Sequence, residues 1–119
     1  MPERTFGDAV KEAADGVLSS FRTEGNFRVQ LVLGAMAVVL AAILRFHPLQ
    51  WAVLMLAIGF VLSAELSNTA LEHLVDLVQA EQHDLARAVK HAAAAGVLVA
   101  ALASLAAGIW LFGSALGLF

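Results

Sequence analysis

The chain is 119 residues long, enough for one domain, and 61% of its residues are apolar while 14% are charged. Soluble domains average about 45–50% apolar residues, and a protein this small has too little interior to bury more, so the composition argues against a soluble globule and predicts a membrane protein. A net charge of −3 argues against a nucleic-acid partner, and the absence of cysteine excludes disulfides, thiolate metal ligands and cysteine nucleophiles.

The first 28 residues carry much of the charge and also contain a helical pattern of apolar residues. These apolar residues recur at steps of three and four, which predicts an amphipathic helix over about residues 5–22. They are Phe6, Val10, Ala13, Ala14, Val17, Leu18 and Phe21. Such a helix either lies along the membrane surface with its apolar side in the interface or packs against its own protein, and the pattern alone leaves both placements open.

Three apolar stretches follow, and each predicts a helix that crosses the membrane. The first, over about residues 28–46, is short for a span, but the arginines at its ends can extend it by snorkelling. Pro48 ends it, because proline cannot continue the backbone hydrogen-bond ladder. The second span covers about residues 49–78 and the third about 85–113. The predicted fold is an all-α membrane domain over residues 1–119, with a surface helix and three transmembrane helices.

The positive residues predict the orientation of these spans. Six lysines and arginines precede the first span or lie between the second and third, and one arginine lies between the first and second. Positive residues favour the cytoplasmic side, so we expect a cytoplasmic amino terminus and an outward carboxyl terminus. Three helices shield few polar groups by themselves, so an oligomer is also expected.

A polar stripe interrupts the cytoplasmic half of the second span. At about 100° per residue, Glu65, Asn68, Glu72 and Asp76 fall on a face about 80° wide over three turns. Acids in or near a bilayer usually face protein or a water-filled cavity, which makes them candidates for a functional site. Carboxylate oxygens without thiolates suit a hard cation such as Mg²⁺.

The alternative is that this helix has emerged among the lipid headgroups, where its acids are solvated or paired with Arg87 or Lys90. That interpretation suits Asp76 well. It suits Glu65 poorly, because Glu65 directly follows a predominantly apolar run of sixteen residues without a charge and therefore lies deep. The stripe by itself does not separate an enzyme from an ion or proton pathway.

Two further polar groups lie at the same membrane surface. Glu24, Asn26 and Arg28 stand where the surface helix meets the first span, and Lys90 and His91 stand at the start of the third span. Taken singly, each has a simple structural interpretation. Arg28 would be a snorkelling arginine, Asn26 a helix cap and Lys90 a charge that sets topology.

Three motifs contain these polar residues. In chain order they are Glu24-x-Asn26-Phe27-Arg28, then Ala64-Glu65-Leu-x-Asn68-Thr69-Ala70-x-Glu72-x-x-Val75-Asp76, then His83-x-x-Ala86-x-x-x-Lys90. Over about residues 5–110 the chain resembles the bacterial diacylglycerol kinase and undecaprenol kinase family of small integral membrane kinases. The resemblance implies a homotrimer in the bacterial cytoplasmic (inner) membrane, with active sites shared between neighbouring subunits at the cytoplasmic surface.

The resemblance also implies an activity and its residues. The family transfers the γ-phosphate of MgATP to the hydroxyl of a lipid, so ATP, Mg²⁺ and a lipid alcohol are the expected partners. By motif position, Glu65 matches the general base, and Glu24 and Glu72 match the metal-binding acids. Asn68 and Lys90 match residues at the nucleotide phosphates. The forms Asn26-Phe27-Arg28 and Asn68-Thr69-Ala70 are more similar to the undecaprenol kinase branch, which makes undecaprenol the preferred acceptor and diacylglycerol the second.

Two positions depart from the family pattern. The residue after Lys90 is usually aspartate and here is His91, which we also expect at the nucleotide phosphates but which brings no fixed negative charge. Gln30 replaces a common histidine. The residues expected to support the site are Asn26, Arg28 and Asp76. No GxxxxGK[ST] sequence is present, so neither a P-loop enzyme nor a protein-kinase fold is expected.

Two other functions would use the same stripe. One is a small oligomeric cation or proton conduit with Glu65 as its relay, along with Glu72. The other is a structural membrane subunit whose polar stripe holds helices together. Lys90 separates the first of these from a kinase, because a lysine helps to bind phosphates but repels a cation on its path.

Overall fold

The computed structural model describes residues 2–79, 81 and 83–119 of the chain. Within these residues four helices follow one another: α1 (Phe6–Thr23), α2 (Gly25–Ile43), α3 (Pro48–Val78) and α4 (Asp84–Ala115). The last three are each long and apolar enough to cross a membrane. The prediction of an all-α protein with three candidate membrane spans is therefore confirmed.

The first of the three long helices differs from its predicted range of 28–46. It begins at Gly25 and ends at Ile43. It ends there because Arg45 adopts a left-handed backbone conformation, with φ 56°, and Phe46 then turns back into the core. Nineteen residues make α2 about 28 Å long, close to the roughly 30 Å of bilayer hydrocarbon. The other helices lie within two residues of their predicted ranges.

The turn from α2 to α3 is the best-packed end of the molecule. His47 and Gln50 cap the start of α3 reciprocally, and Pro48 occupies its first turn, where no backbone N–H is required. The Phe46 ring lies 6.0 Å from that of Trp51 and 5.0 Å from that of Phe112, measured between ring centroids. This aromatic cluster joins the start of α3 to the end of α4. The polar residues Asp76 and Lys90 lie at the opposite end of the two helices.

The α3 and α4 helices form an antiparallel hairpin. The Ser104 hydroxyl donates to the Ala57 carbonyl at 3.0 Å, and Lys90 Nζ donates to Asp76 Oδ1 at 2.6 Å. With 31 and 32 residues, the helices are about 46 and 48 Å long, which exceeds the roughly 30 Å of hydrocarbon. Measured from Pro48, Glu65 lies about 25 Å and Asp76 about 42 Å along α3. Along the helix, Glu65 therefore lies within one hydrocarbon thickness of Pro48, and Asp76 lies beyond that distance.

The apolar stripe of α1 is not covered by the rest of the chain. Each large residue of the stripe is at least 44% exposed: Phe6, Val10, Val17, Leu18 and Phe21. The one buried side chain of α1 among the described residues is that of Ser20. Although α1 contacts α2 and α3, the chain leaves the large residues of the stripe mostly uncovered, and these remain for a membrane surface or another chain.

Candidate active site

The predicted polar stripe lies on one uninterrupted helix, because α3 continues from Pro48 to Val78. Glu65 is 7% exposed, while Asn68 and Glu72 are half-buried and Asp76 is exposed. Burial therefore decreases along the face from Glu65 toward the carboxyl end of α3. The interpretation of the whole stripe as a solvated surface does not hold for Glu65.

Three carboxylates share the buried end of the stripe. They belong to Glu24, Glu65 and Glu72. The Glu24 and Glu72 carboxylates act on Glu65 as like charges, and both residues are half-buried. Glu24 comes from the junction of α1 and α2, so two separate parts of the chain supply the acids. Like charges that are partly buried repel each other more strongly than charges in water. The arrangement therefore favours a bound cation or proton between the carboxylates.

Asn68 connects two members of this group. Its Nδ2 donates to Glu72 Oε1 at 3.2 Å, across one turn of α3. Its Oδ1 is buried and accepts no hydrogen bond from the described part of the chain. A buried amide oxygen without a partner is costly, which marks this position as one where a ligand can supply the missing partner.

These oxygens fit a Mg²⁺ ion that arrives with phosphate. Mg²⁺ is commonly held by one or two carboxylates, with substrate phosphates and water in its other positions. The described residues include no group of three histidine, cysteine or acidic side chains arranged to hold a metal ion. Glu24 and Glu72 therefore suit a shared metal–phosphate site better than a metal site built entirely by protein.

The position of Glu24 depends on a short elbow between the first two helices. Glu24 is extended, with φ −108° and ψ 107°, and it both ends α1 and begins α2 without a capping hydrogen bond from its side chain. Arg28 Nη1 donates to the carbonyl of Phe21 at 3.0 Å and to that of Arg22 at 3.1 Å. Arg28 thus ties α2 to the last turn of α1. The interpretation of Asn26 as the helix cap is wrong, because Glu24 occupies that position.

Lys90 and His91 lie in a second group, at the end of the hairpin where the chain passes from α3 to α4. Lys90 pairs with Asp76, as the alternative interpretation of Asp76 expected. Beside this pair is a cavity of about 360 Å³. Its lining residues are Val75, Asp76, Gln79, Glu81, His83, Ala86, Arg87, Lys90 and His91. None of Glu24, Glu65, Asn68 and Glu72 lines it, so one chain holds the deep acids and the cavity that contains Lys90 and Arg87 as separate groups.

Arg87 is a cavity residue that the sequence interpretation assigned only to topology and surface pairing. Its side chain contacts Asp84 at 3.3 Å, one turn back on the same helix. It adds a second cation to the cavity that contains Lys90. The spacing of three residues between Arg87 and Lys90 places both on one helix face and could have indicated this.

The model of the prokaryotic diacylglycerol kinase family matches residues 11–112 of this chain. The chain belongs to this family. It is 36% identical over 107 residues to the undecaprenol kinase of Bacillus subtilis, over 90% of this chain and 87% of that protein. It is 39% identical over 94 residues to a diacylglycerol kinase of Synechocystis sp., over 78% of this chain, which spans about half (54%) of that protein. A diacylglycerol kinase of Helicobacter pylori is 33% identical over 85 residues, 71% of this chain and 66% of its own.

The predictions of a membrane protein of this family, and of a lipid kinase, are thereby confirmed. Membership favours an enzyme over the conduit and the structural subunit that the stripe alone left open. The family match includes both groups of polar residues, since Glu24 and His91 lie within residues 11–112.

Replacing Arg28 should loosen the elbow that presents Glu24. In Arg28→Gln, two carbonyls of the last turn of α1 lose their donor, at a cost of about 1 kcal/mol, which corresponds to about five-fold faster amide exchange there. Hydrogen–deuterium exchange of the detergent-solubilised protein measures this. Arg22→Gln is the matched control, because it removes one positive charge from the same turn. Equal acceleration in both variants would assign the effect to charge near the helix end and not to the two hydrogen bonds.

Proposed function

We propose that this chain transfers the γ-phosphate of MgATP to the hydroxyl of a membrane lipid, with undecaprenol as preferred acceptor and diacylglycerol as the second. The observation that carries this proposal is the burial of Glu65 in a long apolar helix, beside Glu24 and Glu72, in a member of a lipid kinase family. An acid at that depth is costly, and an alcohol confined to the bilayer is a reactant that explains its presence. The relative named undecaprenol kinase matches along 90% of this chain, which supports the order of acceptors.

Glu65 is the proposed general base. At about 25 Å from the start of α3 it lies inside the hydrocarbon thickness, close to where the hydroxyl of a lipid alcohol resides. The carboxylate takes the hydroxyl proton as the oxygen attacks the γ-phosphorus, and ADP leaves. The tails of the alcohol hold its hydroxyl at a fixed depth, which supplies part of the orientation that the reaction requires.

Glu24 and Glu72 are the proposed ligands of Mg²⁺. When bound with ATP, this ion neutralises charge on the phosphate oxygens. The residues themselves provide oxygen ligands of the type that Mg²⁺ prefers. Asn68 orients the Glu72 carboxylate by donating to it, and the unpartnered Oδ1 of Asn68 is available to the nucleotide–metal complex.

Lys90 and His91 are the proposed contacts to the nucleotide phosphates, with Arg87 as a third basic group in the same cavity. Cations fixed beside the transferring group stabilise charge in the transition state. Because these residues and the acids form separate groups in one chain, we further propose that a neighbouring subunit completes each site. The assembly inferred from the family resemblance is a homotrimer.

The proposed protein is a multi-pass protein of the bacterial cytoplasmic membrane with its amino terminus inside and its carboxyl terminus outside. The distribution of lysine and arginine supports this orientation. In it, α1 lies on the cytoplasmic surface, and its exposed apolar stripe dips into the interface. The site then faces ATP on the one side of the membrane where it is abundant.

The activity is tested by incubating the detergent-purified protein with γ-labelled ATP, Mg²⁺ and either undecaprenol or diacylglycerol. We expect label in both lipids, with a higher kcat/KM for undecaprenol. Label in neither lipid would overturn the proposed function. A higher kcat/KM for diacylglycerol would reverse only the order of acceptors.

Glu65→Gln should lower kcat by about 10²–10⁴-fold, because the amide cannot accept the hydroxyl proton. The label-transfer assay measures this, and size-exclusion chromatography checks that the variant still assembles. Glu12→Gln is the matched control, since it makes the same change to an exposed acid on α1 that pairs with Arg4. Full turnover in Glu65→Gln would show that another group is the base.

Glu72→Gln should raise the Mg²⁺ concentration for half-maximal activity by about ten-fold or more, because one anionic ligand is lost. A Mg²⁺ titration at fixed ATP measures this shift. An unchanged half-maximal concentration would remove Glu72 from the metal site. The residual activity of Glu65→Gln serves as a control, since a lost base lowers the rate without shifting the Mg²⁺ titration.

A further inference from the structure

Lys90 is held across the hairpin by an acid of the opposite helix. Its Nζ donates to Asp76 Oδ1 at 2.6 Å, and the side chains of Lys90 and Asp76 are 38% and 61% exposed. The two residues are fourteen positions apart and lie on either side of the turn between α3 and α4. The pair therefore joins the cytoplasmic ends of both helices as well as neutralising two charges.

The ion pair leaves Lys90 able to bind a second anion. An ammonium group has three N–H donors, and Asp76 accepts one of them. The pair borders the cavity of about 360 Å³ that Arg87 and His91 also line. A lysine is flexible along four carbons, so an unanchored ammonium would have to be ordered when it binds a phosphate. An ammonium already held at the cavity wall avoids most of that entropic cost.

We propose that Asp76 is a positioning residue that holds the Lys90 ammonium at the wall of this cavity, ready for the nucleotide phosphates. This rests on the proposed function, in which Lys90 contacts those phosphates. The proposed role of Asp76 is exerted through its contact with Lys90. Its carboxylate is too exposed for the pair to contribute much to folding, so its effect lies in nucleotide binding.

The test is a double-mutant cycle of the full-length protein in detergent, with KM for ATP and KM for the lipid alcohol measured separately. Asp76→Asn should raise KM for ATP about three- to five-fold, the scale of an exposed ion pair, and leave KM for the lipid unchanged. Lys90→Gln should raise KM for ATP further. In the Lys90→Gln background, Asp76→Asn should have no additional effect, because its only partner has been removed. Asp76→Glu should recover part of the loss.

Glu12→Gln is the control. Glu12 is also an exposed acid in an ion pair, but its partner is Arg4, and neither residue lines the cavity. It should leave both KM values unchanged. If Lys90→Gln leaves KM for ATP unchanged, the proposed role of Lys90 fails. If Lys90→Gln raises it but the two substitutions are additive, only the positioning role of Asp76 is overturned. A lower KM for ATP in Asp76→Asn would also overturn that role, since Asp76 would then compete with the phosphates.

Discussion

The cost of a carboxylate at bilayer depth constrains the rest of this structure. Glu65 follows an apolar stretch of α3 and is 7% exposed, although acids within membrane helices are rare and expensive. Glu24 and Glu72 do not offset that cost, because they are also acids and act on Glu65 as like charges. A cation or proton among these oxygens reduces their repulsion. The buried oxygen of Asn68 adds a further acceptor to the same place.

The lengths of the helices explain how a chain of 119 residues reaches both a lipid and a water-soluble reactant. The α3–α4 hairpin is about 46–48 Å long, and the bilayer hydrocarbon accounts for about 30 Å of it. Aromatic packing around Phe46 fixes one end of the hairpin. The other end carries Asp76, Lys90 and Arg87 beside an open cavity. The same two helices thus provide a rigid anchor, an acidic group at membrane depth and a basic group beyond it.

What could be predicted from the sequence was local in origin. The stripe of Glu65, Asn68 and Glu72 follows from helical periodicity, and α3 is indeed unbroken through it. The elbow at Glu24 could not be predicted in this way, because its extended backbone accompanies hydrogen bonds from Arg28 to carbonyls six and seven residues earlier. The sequence pattern alone therefore predicted a start near residue 28 for the helix that begins at Gly25, and it assigned the helix cap to Asn26. The placement of α1 stayed open for the same reason, since only tertiary structure shows that its stripe is uncovered.

The separation of charge within one chain bears directly on how the site works. The deep group consists of acids and an amide, whereas Lys90 and Arg87 line a separate cavity that Glu65 does not line. A metal-bound nucleotide is complementary to both groups, because its metal suits the acids and its phosphates suit the cations. Neither group alone is complementary to the whole ligand. In the proposed homotrimer the deep acids of one chain would meet the Lys90–Arg87 cavity of its neighbour where subunits join, so catalysis would require assembly.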